Sequence, residues 1–369
     1  MNRRILETSH CRASAATCPD LPRFPHRGSE IGVAIGAYPS RDERGVAIII
    51  VLWVVMVLSL LISGFAFTMH VETRTAAYAR MELKAQMLAR SGFEVARMQL
   101  LLHDQSGADA GYDALNQDWK TNTDLFVNHE LGEGTFNVTI TDEESRMPLN
   151  TASELELQRL MTLLNVDPSE GDIIVDSIQD WREPGDLHRL NGAKSDYYLS
   201  LLPPYQCKDA PFDRVDELLL VRGVTPELFQ GTPATDKDPA QPGLDEVFTT
   251  MSSGQINVNT ASPTVLQAML GLSDVQVQAA LTRRDGPDGI PGTDDDMPFH
   301  TPGEFFATIG NVEAAAGQAG QAAVGVTSSF FTIKSTGEVG GVKYTILATV
   351  RRDSGDIQIV TWQEKREAS

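Results

Sequence analysis

Carboxylates crowd one glycine- and proline-rich stretch, RRDGPDGIPGTDDDMPFHTPGEFF at 283–306, which holds Asp285, Asp288, Asp294, Asp295 and Asp296. Glycine accepts the positive φ that a wrapping loop needs, and several carboxylates on one loop repel each other unless a hard cation lies between them. Calcium, an oxygen-seeking ion, is the cofactor this pattern suits. The spacing is not that of a twelve-residue EF-hand loop, and a solvated acidic turn is the alternative reading. A second cluster, Asp180, Glu183, Asp186 and Asp196, lies in DSIQDWREPGDLHRLNGAKSDYY at 176–198. Those carboxylates read better as surface and capping groups around a packed Trp181, Tyr197 and Tyr198 than as cation ligands.

Other chemistries find little support. His70, His103, His129, His188 and His300 are scattered, and no G-x-S-x-G, P-loop or H-E-x-x-H string occurs. Catalysis is not expected. Cys11, Cys18 and Cys207 build neither a disulfide framework nor a zinc site. A formal net charge of -20 repels nucleic acid and anionic lipid surfaces and favours cations or basic partners.

Several elements must position these groups. Residues 1–40 show no periodicity and read as a disordered leader or as a start placed too early. The run VAIIIVLWVVMVLSLLISGFAF, 46–67, carries no charge and is long enough, at about 1.5 Å per residue, to cross a bilayer core of about 30 Å. Arg41 and Arg44 before it place the N-terminus in the cytoplasm and the body across the membrane. One helix is expected from Val46 to about His103. Its second half shows an apolar stripe, Ala76, Ala79, Leu83, Met87, Val95, Met98 and Leu102, expected to pack on a globular domain.

TFNVTIT, 135–141, alternates as a half-buried strand, and three more strands follow residue 326, with turns at Gly340-Gly341 and around 353–355. A lone strand is not stable, so these four should share one antiparallel sheet, interrupted by a helical insertion. That insertion repeats itself. PLNTASELELQRLMTLL (148–164) and INVNTASPTVLQAMLGL (256–272) share N-T-A-S before a leucine-rich helical period, with Ser153 and Ser262 as helix caps and Pro263 at a first helical position. The expected α+β organisation is a leader (1–45), an N-terminal helix (46–103), a first sheet segment (104–145), two helical units (146–250 and 251–325) and closing strands (326–369).

In combination, RG followed by VAIIIVLWVV, TDEESRMPLNTAS, DWREPGD, NGAKSDYY, LPPYQCKDAPFDRVDELLLVRGVTPELF and the closing IVTWQE resemble the K-type minor pseudopilins of the bacterial type II secretion system. The resemblance implies a pilin-like sheet interrupted by two SAM-like, helix-hairpin-helix-like subdomains, and calcium in the helical part. It implies cleavage after Gly45 by prepilin peptidase, with Val46 as the methylated first residue. It also implies an inner-membrane protein with a periplasmic body, at the tip of a pseudopilus with I-type and J-type minor pseudopilins above the major pseudopilin. Wider pilin relatives carry Glu at the fifth mature position to meet a neighbour's N-terminus. Here that position is Ile50, which suits a first, tip subunit. A membrane-anchored DNA-binding module of a competence or type IV pilus system is the alternative. The hairpin segment LGLSDVQVQAALTRR offers only Arg283 and Arg284 to phosphates.

Overall fold

A computed structural model describes residues 44–105, 111–234, 240–310, 323–353 and 355–367. The expected leader up to residue 43, with Cys11 and Cys18, lies outside the described residues. Helix α1 runs unbroken over Arg44–Gln105. Within its first part, the side chains of 46–68 are exposed all round, apart from a half-buried Val57.

The body from Met69 onward holds the C-terminal part of α1 and a five-stranded antiparallel sheet: β1 (His129–Leu131), β2 (Gly134–Asp142), β3 (Phe330–Val339), β4 (Val342–Asp353) and β5 (Asp356–Glu367), in that spatial order. Thr139 pairs with Lys334, so β2 and β3 are immediate neighbours although the whole insertion separates them in sequence. Gly340 and Gly341, at φ +57° and +83°, make the tight β3–β4 turn that only residues free of a Cβ form readily.

Of the stripe of α1 expected to pack, only Val95 is half-buried against the sheet core, and the main packing face is another one. Leu83, Met87, Met98 and Leu102 are exposed, and the buried face is Ala85, Leu88, Ala89, Gly92, Phe93, Ala96 and Leu100. Two residues' offset, from 83 to 85, turns about 200° around a helix, so the two stripes lie nearly opposite. Small residues win because they let the helix sit close on the sheet. A Cβ at Gly92 would meet the Ser335 hydroxyl and Phe136, the latter at 2.8 Å, and one at Gly337 would meet the Ala85 carbonyl oxygen and the Ala89 amide nitrogen. Gly337→Ala should therefore force the helix off the sheet and cost about 2 kcal/mol; urea unfolding with a loss below about 0.5 kcal/mol would contradict this contact.

The insertion between β2 and β3 carries α2 (Glu154–Leu163), α3 (Pro168–Arg182), α4 (Pro263–Leu270), α5 (Asp274–Arg284) and α6 (Pro302–Thr308). Ser153 and Glu156 form a reciprocal capping box at α2, and Ser262 accepts from Val265 N at α4. Buried residues on both sides of residue 250, among them Leu160, Ile178, Trp181, Phe248, Leu266 and Phe305, belong to one continuous apolar core.

Candidate functional sites

Because α1 begins at Arg44, the Gly45–Val46 bond lies in its first turn. Ile50 is exposed, and no carboxylate precedes Glu72 on this helix. It is the one helix among the described residues long and apolar enough to cross a membrane, by length and composition.

The acidic loop closes on itself after α5. Gly286, at φ +67°, sits where a Cβ would strike the Asp295 carbonyl at 2.5 Å. Asp288 N donates to Asp295 Oδ2 at 3.2 Å, and Gly292 N donates to Asp296 Oδ2 at 2.7 Å. The Thr293 hydroxyl lies 2.7 Å from Asp295 Oδ1 and 3.3 Å from Asp296 Oδ1. The same hydroxyl lies 3.1 Å from the Ile290 carbonyl, so its one proton is shared among three acceptor oxygens and those it does not serve face its lone pairs. The Thr293 bond draws the Asp295 carboxyl below its ordinary range, whereas burial, with the charges of Asp285 and Asp295, pushes Asp296 up. A cation with oxygen ligands would relieve that crowding.

Asp285 is buried and pairs with Arg284 at 2.6 Å, and Asp288 and Asp294 are exposed. Among the described residues, no group of three or more His, Cys, Asp and Glu side chains is placed to hold a metal ion. The carboxylate and carbonyl donors of the loop are of the right hard type for calcium, with Asp295 and Asp296 the pair that converges. In the second acidic cluster, Asp180 and Glu183 both pair with Arg189, at 3.1 and 2.8 Å.

The N-T-A-S repeat does more than cap helices. Asn150 accepts from Phe212 N at 2.7 Å and donates to Phe212 O at 2.9 Å; Asn259 does the same to Phe299, at 2.8 and 2.9 Å. Arg182 donates to the carbonyls of Leu149 and Ala152, and Arg284 to those of Val258 and Ala261. Each half thus consists of an asparagine, an arginine that closes a helix, and further on a proline followed by a buried phenylalanine. A second sequence repeat marks these contacts: P-F-x-x-x-x-E occurs at Pro211–Glu217 and again at Pro298–Glu304.

A buried polar junction joins insertion to sheet. Asp142, at the end of β2, accepts on Oδ2 from Asn257 (3.1 Å), Ser328 (2.6 Å) and Thr260. Asp113 Oδ2 accepts from Ser328 N and from Arg352 of β4, and its Oδ1 lies 3.2 Å from His103 Nε2. Glu144 accepts from Ser253 N and Ser329 N. Burial would raise Asp113, but the His103 bond and the Arg352 guanidinium hold it below its ordinary value. Asp142 goes the other way: complete burial and the charges of Asp113 and Glu144 outweigh its donors and push it up to about 7.

Two family models described as type II secretion system, protein K, match residues 134–232 and 256–327, one on each half of the insertion. The type II secretion system protein K of Pseudomonas aeruginosa is 24% identical over 334 residues, covering 87% of this chain and 92% of that one. The protein of the same description from Aeromonas hydrophila is 26% identical over 208 residues, 51% of this chain and 61% of the other. Among solved structures, a chain of the GspK-GspI-GspJ complex from enterotoxigenic Escherichia coli superposes with a TM-score of 0.61 at 18% identity, covering 80% of this chain and 100% of that one. That likeness carries the fold: a long N-terminal helix, an antiparallel pilin-like sheet and a large helical insertion. These matches span both halves of the insertion and nearly the full length of a relative, so the chain is similar to the type II secretion system protein K family over most of its length.

Proposed function

We propose that this chain is a non-catalytic minor pseudopilin at the tip of a type II secretion pseudopilus, where it initiates or caps assembly for protein export across the outer membrane. The observation that carries the reading is the alignment with a K protein along 87% of this chain and 92% of the other. In this reading prepilin peptidase cuts after Gly45, Val46 is the methylated first residue, and 46–67 anchors the protein in the inner membrane with its body in the periplasm. The two repeated units, 146–250 and 251–325, form the insertion as SAM-like subdomains. I-type and J-type minor pseudopilins bind it above the major pseudopilin, by analogy with the GspK-GspI-GspJ complex of Escherichia coli.

Ile50 supports a terminal place. A subunit without a carboxylate there buries no charge in lipid and needs no partner ammonium above it. Isolation of the mature chain with its neighbours should yield Val46 as the N-terminal residue and co-purify the I-type and J-type proteins; a different N-terminus, or no such complex, would overturn the reading. Ile50→Glu should still assemble.

Calcium completes the acidic loop in the same reading. Asp288, Asp294, Asp295 and Asp296 supply oxygens together with loop carbonyls, while Asp285 stays with Arg284. Calcium at about 100 times its dissociation constant should raise the Tm of the parent protein by about 5 °C. Changing Asp294, Asp295 and Asp296 together to Asn should remove that shift, and absence of any shift in the parent would sink the site.

A further inference from the structure

The internal repeat allows a comparison of the two halves at equivalent positions. Aligning Arg182 with Arg284 and Phe212 with Phe299 places Glu183 opposite Asp285, Asp180 opposite Thr282, and Asp209 opposite Asp296, each of the last pair three residues before its phenylalanine. Asp296 is the crowded carboxylate of the second half. Its counterpart Asp209 is not crowded, because an ammonium group faces it.

Lys194 Nζ lies 2.5 Å from the Asp180 carbonyl, 2.5 Å from the Glu183 carbonyl and 2.6 Å from Asp209 Oδ1. An ammonium has three protons, and here each has one oxygen. The lysine side chain is only 5% exposed, so its charge has left water and depends on these partners. Two of them are carbonyls at the C-terminal end of α3, the negative end of the helix dipole. The third is held by a residue at φ +50°, an unusual conformation for a non-glycine. The oxygens come from α3 and from the segment before Phe212, and Lys194 supplies none of them.

We propose that the insertion carries one cation cradle twice, and that in the first half the Lys194 ammonium is its built-in cation. Hard oxygens from two carbonyls and one carboxylate are a ligand set that a divalent cation accepts. Around the cradle, Asp180, Glu183 and Asp209 face Lys194 and Arg189. Arg182 also faces Glu183, so without the lysine charge three carboxylates remain against two guanidiniums, an excess of negative charge that still favours a cation. The assignment of the second-half cradle rests on the calcium reading of the acidic loop; the assignment of Lys194 does not.

The test uses the full chain in detergent with Asp294, Asp295 and Asp296 changed to Asn, so that the loop cannot answer for the cradle. In this background the lysine-containing protein should show no Tm shift between EDTA and calcium chloride at about 10 mM, a concentration that fills even weak calcium sites. Lys194→Ala should lose about 10 °C in EDTA and recover at least half of it in calcium. Lys194→Glu, which adds a carboxylate oxygen, should respond at lower calcium, and Lys194→Met, which fills the space with an apolar chain, should stay low in both. Equal behaviour of the Ala, Glu and Met variants with and without calcium overturns the proposal. So does failure of the Ala and Glu chains to fold when calcium is present throughout preparation. Failure of the acidic-loop reading would appear separately, as a parent protein indifferent to calcium.

Discussion

Arg352→Met should lower the unfolding free energy by about 3–5 kcal/mol, the usual cost of removing one partner from a buried ion pair. The guanidinium donates to Asp113 and to the Ser328 carbonyl, the latter at 2.8 Å, and it stacks over the Phe331 ring at 4.9 Å. Methionine replaces much of the volume but leaves Asp113, which is fully buried, as a carboxylate without its main counter-charge. Lysine keeps the charge and loses the fork and the stacked plane, so Arg352→Lys should fall between the two. Adding Asp113→Asn to Arg352→Met should recover part of the loss, because the stranded charge is then gone. Urea unfolding followed by tryptophan fluorescence would measure all four chains. A single-variant loss under about 1 kcal/mol would mean that the junction is solvated and not a clamp.

The second large effect depends on pH. Asp142 has a folded pKa raised to about 7 from an ordinary value of 3.8. Between those values the folded chain holds a proton that the unfolded chain has released, so stability falls as pH rises through this window and the loss is complete above about 7. From pH 5 to pH 8 the decline should be about 3 kcal/mol. Glu144, also raised by burial, acts in the same direction, whereas Asp113 is depressed and titrates below the window. Lys120, which donates to the Ile140 carbonyl at 2.9 Å, is the nearby cation that favours the Asp142 carboxylate. Glu144 N donates to Asp142 Oδ1 at 2.8 Å, so Asp142→Asn should flatten the profile and cost stability at pH 5, since its NH2 group must face either that N–H or the three donors on Oδ2. A parent protein equally stable at pH 5 and pH 8 would remove Asp142 as the titrating group.

Local rules make part of this molecule legible. N-T-A-S before an apolar period marks a helix start through the reach of a serine hydroxyl, and Ser153 and Ser262 cap as that rule requires. Alternation exposes β2, and Gly340-Gly341 exposes the turn into β4. The buried face of α1 escapes such rules because apolar size is a poor sign of burial there. On a helix that lies close against a sheet, alanine and glycine fill the contact, and Leu83 and Met87 are left outside. The junction has no local signal at all: Asp113, Asp142, Asn257, Ser328 and Arg352 come together only through the path of the chain. The Pro-Phe repeat is within reach of sequence alone, once the two halves are aligned beyond their first helix, and that alignment pairs Asp209 with Asp296.

The pairing of β2 with β3 across the entire insertion also bears on the order in which the chain acquires its structure. Joining Asp142 to Phe331 through a flexible connection of that length would cost about 5 kcal/mol in loop-closure entropy. An insertion that is already compact brings its two ends to the Asn257 and Ser328 contacts and removes most of that barrier. Pairing of β2 with β3 should therefore come late, on a template supplied by the sheet's own interruption, whereas β3, β4 and β5 are joined by short turns and pair with one another without it.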